Sequence, residues 1–125
     1  MKIAIDLDGT AWKHREFFRE FVLAMKTRGH EIGILTAHYY ETYLDPDLKL
    51  WKLRGFPKPD FYIARKGEDE HRMLIGDWKR KSVLEFEIDV LFDDFGGNNP
   101  DIEQSFLRTG IDNLLVFKVI PGESK

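Results

Sequence analysis

The chain contains no cysteine in its 125 residues. That absence excludes a disulfide scaffold, a Cys-based zinc site, a thiol nucleophile and an iron–sulfur cluster. It leaves the compartment open, because a reducing cytosol permits cysteine without requiring it. Excess positive charge is also missing. Lys and Arg number 19 against 22 Asp and Glu, a net charge of −3, which argues against a domain that coats nucleic acid through clustered basic residues. No stretch approaches the ~20 apolar residues of a membrane-spanning helix. Residues 1–7 are too short, and too interrupted by Lys2 and Asp6, for the apolar region of a signal peptide. These features predict a soluble, cytoplasmic protein with no membrane partner. What is present suffices for a packed core. The chain is 42% hydrophobic and 14% aromatic, which excludes a disordered tail, and its length predicts one domain over residues 1–125.

Five short apolar runs read as strands: Lys2–Ile5, Glu31–Leu35, Asp60–Ala64, Asp89–Phe92 and Asn113–Lys118. Their lack of strict alternation suits strands buried on both faces. The segments between them have helical spacing. In His14–Arg28, Phe17, Phe18, Phe21, Val22 and Met25 form one stripe, and Gly29 follows as a stop. Asp45–Leu53 opens on an Asp-Pro pair suited to an N-cap and first helical position, with Leu48, Trp51 and Leu53 near one face. Trp78–Phe86 offers Val83, Leu84 and Phe86. A fourth helix near Pro100–Thr109 has Asn99 as N-cap, acidic residues in its first turn and Gly110 as its close. The segment Lys66–Asp77 is charged and reads equally as loop, helical turn or short strand. Alternating strands and helices with short connections predict an α/β fold: a three-layer, doubly wound, Rossmann-like and mainly parallel five-stranded sheet.

Such sheets bind ligands beyond the carboxyl ends of their strands. The residues at those positions are Asp6-Leu7-Asp8-Gly9-Thr10, then Thr36, then Arg65-Lys66, then Asp93-Asp94-Phe95-Gly96-Gly97. Asp6, Asp8, Asp93 and Asp94 would repel one another strongly unless a cation neutralised them. Oxygen ligands without Cys or His favour a hard ion, Mg2+ before Ca2+ or Mn2+. Carboxylates, a metal and a lysine are together the requirements of phosphoryl chemistry.

The same residues resemble the haloacid dehalogenase (HAD)-like superfamily, particularly its small capless phosphatases. The resemblance rests on a strand followed by Asp-x-Asp-Gly-Thr (Ile3–Thr10), a strand followed by Thr (Ile32–Thr36), a lysine, and a strand followed by Asp-Asp (Val90–Asp94). It implies a HAD-like core without a cap domain, since only one helix and one strand separate Asp8 from Thr36. It implies a Mg2+-dependent phosphomonoester hydrolase working through an aspartyl-phosphate. Asp6 would be the nucleophile, Asp8 the general acid and base, and Thr36 a phosphate contact. Lys81 ranks first as the phosphate-binding lysine, Lys79 second and Lys66 third. The metal ligands would be Asp6, the Asp8 carbonyl and Asp94, with Asp93 acting through water. A capless site implies a phosphorylated substrate on a large group, such as a nucleic-acid end or nucleotide, or a homo-oligomer in which a neighbouring subunit serves as lid.

Two other readings stand beside this one. The first is a catalytically weak metal- and phosphate-binding module of the same fold. The second is a phospho-accepting receiver domain, against which the order of the acidic motifs argues. The four histidines, including His38, read as surface or capping residues, with a substrate contact at His38 a minor alternative. Trp12, Tyr39, Tyr40 and Tyr43 read as packing beneath the rim loops.

Overall fold

Apolar runs of four residues cannot stand alone in water, and here they are joined into one sheet. A computed structural model describes residues 1–107, 111 and 113–120. Five parallel strands, β1 (Lys2–Ile5), β2 (Glu31–Tyr39), β3 (Tyr62–Arg65), β4 (Val90–Asp93) and β5 (Leu115–Lys118), lie in the order β3-β2-β1-β4-β5. Ile5 pairs with Ile34 on one side of β1 and with Phe92 on the other. This is the predicted doubly wound, Rossmann-like α/β fold.

Helices α1 (Arg15–Thr27) and α2 (Tyr40–Leu53) carry the first two crossovers. Their face of the sheet buries Ile3, Ile5, Ile32, Ile34, Phe18, Val22 and Trp51. The short α3 (Gly67–His71), α4 (Ile75–Glu85), the single turn α5 (Phe95–Asn98) and α6 (Pro100–Leu107) carry the rest. The opposite face buries Ala4, Leu35, Ile63, Trp78, Leu91 and Phe106. Truncating a fully buried side chain such as Ile5 to alanine costs about 2–5 kcal/mol, through lost burial and the cavity left behind. At Gly76 a Cβ would lie 2.4 Å from the carbonyl oxygen of Ile102, so only glycine lets α4 and α6 cross this closely.

Two local expectations are corrected and one open reading is resolved. The second helix starts at Tyr40 and runs through Pro46, instead of beginning at the Asp45-Pro46 pair; its face buries Asp47 and Trp51, while Leu53 is exposed. The ambiguous segment Lys66–Asp77 is helical in two pieces, α3 and the start of α4. Strand β5 is not buried on both faces: it forms a sheet edge, with Leu115 54% and Phe117 45% exposed. Thr109 and Gly110, expected to close the last helix, lie outside the described residues.

The strand order reverses at β1. Crossovers leave β1 toward β2 on one side, while β4 approaches from the other. The crevice at the carboxyl ends of β1 and β4 is therefore the topological switch point, where α/β sheets place their ligands.

Candidate functional site

Asp6 follows β1 directly, and its amide donates to the carbonyl of Phe92, keeping the chain against β4 for one more residue. The next five residues form a wide turn. Leu7 and Ala11 anchor it in the core, and the amides of Ala11 and Trp12 donate to the carbonyls of Asp6 and Leu7. Gly9 sits at φ +75°, and a Cβ there would lie 1.9 Å from Asp94 Oδ2. A side chain at position 9 would thus occupy the space of the Asp94 carboxylate. This is a physical reason for glycine after the two aspartates.

On β4, Asp93 is the last strand residue and Asp94 the first beyond it. Asp93 Oδ1 accepts the amide of Phe95 at 2.7 Å, and Asp94 Oδ2 accepts that of Gly97 at 2.9 Å. Asp6, Asp93 and Asp94 are all buried, and one carboxylate oxygen from each lies within 4.8 Å of the others. The lysine facing them is Lys79 of α4, 2% exposed, which bonds to Asp93 and lies 3.6 Å from Asp6.

Three carboxylates thus face one ammonium group. Burial, followed by the charge of Asp93, holds the Asp6 carboxyl well above its ordinary value, with Lys79 opposing. Burial also raises Asp93, against the pull of Lys79. For Lys79 burial works toward the neutral form, but Asp6 and Asp93 outweigh it and push the ammonium up to about 12. The lysine stays charged, and with three carboxyl groups around it the acidic excess is relieved either by a proton or by a cation. Carboxylate oxygens at this spacing, with no nitrogen or sulfur donor among them, fit a hard divalent cation.

A second ionic group borders the first. His38, near the end of β2, places Nε2 2.6 Å from Asp8 Oδ2 and Nδ1 2.7 Å from Asp47 Oδ2. The Tyr62 hydroxyl also donates to Asp47 at 2.6 Å. The hydrogen bonds to Asp47 and then Asp8 raise His38 to about 9, so the ring is an imidazolium at neutral pH. The bond from His38 lowers Asp8. The Asp8 side chain is 72% exposed and stands apart from the three clustered carboxylates. Thr36, expected just past the second strand, is buried inside β2, which runs on to Tyr39, and its hydroxyl accepts the His38 amide at 3.4 Å. Together Asp6, Asp8, Thr36, His38, Arg65, Lys79 and Asp94 line a cleft of about 280 Å³.

The ranking of the lysines is corrected. Positions 79 and 81 are about 200° apart around a helix. Lys79 therefore points into the carboxylates, while Lys81 is exposed and pairs with Glu70 at 2.9 Å and Glu85 at 3.2 Å. Lys66 lies over the Tyr40 ring. Asp47 was not among the expected site residues, and His38 was expected first as a surface or capping residue, with a substrate contact only as the minor alternative. A signal for Asp47 was available: it precedes Trp51 by four positions and so shares the buried stripe of α2, where an unpaired carboxylate is not tolerated. Trp12 packs on Trp51 and Phe56 as expected, whereas Tyr39 and Tyr43 are 40% and 42% exposed at the rim.

Comparisons with known proteins place the fold. No family model matches the sequence, and no curated protein does. A solved structure of a universal stress protein in complex with cAMP superposes with a TM-score of 0.57, covering 95% of this chain and 97% of that one at 12% identity. These findings correct the family reading. The HAD resemblance, the hydrolase and phosphatase activity it implied and the weak-module alternative receive no support, and a protein of another family is the structural match. At 12% identity that likeness establishes a shared fold and nothing finer. Among the described residues no helix is long and apolar enough to cross a membrane.

Proposed function

We propose that the cleft of this chain takes a small nucleotide together with Mg2+. The observation that carries the reading is the charge imbalance at the switch point. Asp6, Asp93 and Asp94 bring carboxylate oxygens within 4.8 Å of one another, against the single ammonium group of Lys79. A divalent ion would offset that excess, and Asp6, Asp93 and Asp94 would hold it, with the Asp8 carbonyl on the same rim. When bound, the ion supplies positive charge facing the cleft, where an anionic phosphate gains from it. Lys79, the His38 imidazolium and Arg65 add cationic groups, and the Thr36 hydroxyl adds a hydrogen-bond partner. The Tyr39 ring is already covered by His71 and the Arg65 guanidinium, whereas Tyr43, 42% exposed and tilted against His38, offers an aromatic surface on which a base can stack. The nucleotide class is suggested by the cAMP bound to the structurally similar protein.

Titration calorimetry with cAMP, AMP and ATP, each with and without Mg2+, tests this reading. It expects at least one nucleotide to bind only when Mg2+ is present, and Asp94→Asn to weaken that binding at least about tenfold. If no nucleotide binds in saturating Mg2+, or if Asp94→Asn leaves the affinity unchanged, the proposal fails.

A further inference from the structure

A second concavity shares no lining residue with the cleft. It encloses about 580 Å³ between α2, β3 and the segment joining them. That volume falls in the range of small-molecule sites, roughly 300–1,000 Å³. Its walls are Leu48, Trp51, Phe56, Pro59, Phe61 and Tyr62, with Lys52 and Lys58 at its margins.

The polar atoms of these walls are already committed. Trp51 Nε1 donates to the Pro57 carbonyl at 2.7 Å, and the Tyr62 hydroxyl donates to Asp47. Neither has a donor left for an occupant without breaking a bond of the fold. Asp60, beside the groove, is paired with Lys26 and accepts the Ile32 amide. The two marginal lysines differ from all of these. Both are exposed, and among the described residues neither ammonium group has a hydrogen bond or an acidic partner. The groove therefore offers an apolar surface for the body of a ligand and positive charge, without a competing carboxylate, for one end of it. A neutral hydrocarbon would leave the charge unused, and a cation would be repelled.

We propose that this groove is a second binding site, for an amphiphilic monocarboxylate: an apolar aliphatic body lying against Trp51, Phe56 and Phe61, with its carboxylate between Lys52 and Lys58. The site does not rest on the nucleotide reading, because it shares no lining residue with the cleft, although the Tyr62 hydroxyl bonds to Asp47 beside it.

The test uses sodium decanoate below its micelle-forming concentration, followed by the quenching of tryptophan fluorescence and by amide chemical shifts. Saturable binding is expected, with shifts concentrated in residues 48–62. Octanoate, two methylenes shorter, is expected to bind about tenfold more weakly, as follows from ~0.8 kcal/mol per buried methylene. Charge reversal in Lys52→Glu/Lys58→Glu is expected to weaken decanoate at least about tenfold while changing decanol binding little. Both positions are exposed, so that variant should fold, and an unchanged melting temperature without ligand will report an intact domain. The proposal is overturned if decanoate does not saturate below about 1 mM. It is equally overturned if the double variant binds decanoate as the parent does, if shifts fall outside the groove, or if only anionic vesicles and not monomeric decanoate are bound.

Discussion

Two ionic groups lie side by side on the rim of the sheet, and they solve the same electrostatic problem differently. Asp8, His38 and Asp47 alternate in charge, and each group has a partner of opposite sign at hydrogen-bond distance. Asp6, Asp93 and Asp94 crowd three carboxylates around one lysine, in a place with almost no access to water. The first arrangement is complete in itself, and its effect is to hold His38 and Asp8 in position. The second is incomplete, and what it lacks is a proton or a cation. Proximity of charged groups is therefore a poor guide to a binding site. Both groups carry an acidic excess, and what distinguishes the second is the size of that excess and its burial.

The largest expected effect comes from making the incomplete group worse. Lys79→Met removes the one counter-charge and leaves buried carboxylates unpaired, which costs about 3–5 kcal/mol. Urea unfolding at neutral pH measures this. Part of the loss should return at lower pH. The carboxyls of Asp6 and Asp93 are raised in the folded state, so the folded protein takes up protons more readily than the unfolded chain, and stability rises as pH falls toward those raised values. A Lys79→Met protein as stable as its parent would remove the contrast between the two groups.

Breaking the complete group should cost less and carry a different pH signature. Asp47→Asn removes the strongest support of the His38 imidazolium, and about 1–3 kcal/mol is expected from a buried bond left without its charged partner. In the parent, His38 is raised from near 6.5 to about 9. Its contribution is fully present below the unfolded value and lost as pH rises through about 9. Thermal melts across that alkaline range should show the parent losing stability at higher pH than Asp47→Asn. Coincident alkaline profiles would show that Asp47 does not hold the proton on His38.

Relieving the incomplete group should have a smaller and opposite effect. Asp94→Asn removes one of three repelling charges while keeping an oxygen to accept the Gly97 amide. The metal-free protein is expected to hold its stability or gain about 1 kcal/mol, while losing any Mg2+-dependent rise in melting temperature. A marked destabilisation without metal would mean that the three acids are balanced after all. The smallest effect belongs to Lys81→Ala. Its pairs with Glu70 and Glu85 are on the surface, so a change within about 0.5 kcal/mol and an intact Mg2+ response are expected.

Much of this was legible in the residues and some was not, for definite reasons. Strand positions near Ile5, Leu35 and Leu91 were readable because a doubly covered parallel sheet demands continuous apolar runs. The convergence of Asp6, Thr36, Asp93 and Asp94 followed from one rule about strand ends. The choice between Lys79 and Lys81 was not readable, because it turns on which face of α4 packs inward, and that helix is amphipathic only weakly. Pro46 misled because prolines usually open helices, whereas here the helix began earlier, at Tyr40, and continued through the proline. The family reading failed differently. Short motifs in a plausible order suggested a named chemistry, yet the comparison that spans nearly the whole chain matched a protein of another family. A strand order that brings acids to a switch point can be shared by folds with different uses.

The position of β1 in the sheet has a consequence for the timing of assembly. β1 lies between β2, its near neighbour along the chain, and β4, its distant one. A β1–α1–β2 unit can form from local contacts while Asp6 is still hydrated and unopposed. The repelling carboxylates meet only when β4 docks, a long-range step that pairings of this kind delay. The segment that delivers Asp93 and Asp94 also carries α4, and therefore Lys79. Lys79 and Asp93 lie 14 residues apart on consecutive elements, so the acids of β4 and their counter-ion are tethered to one another before either reaches the sheet.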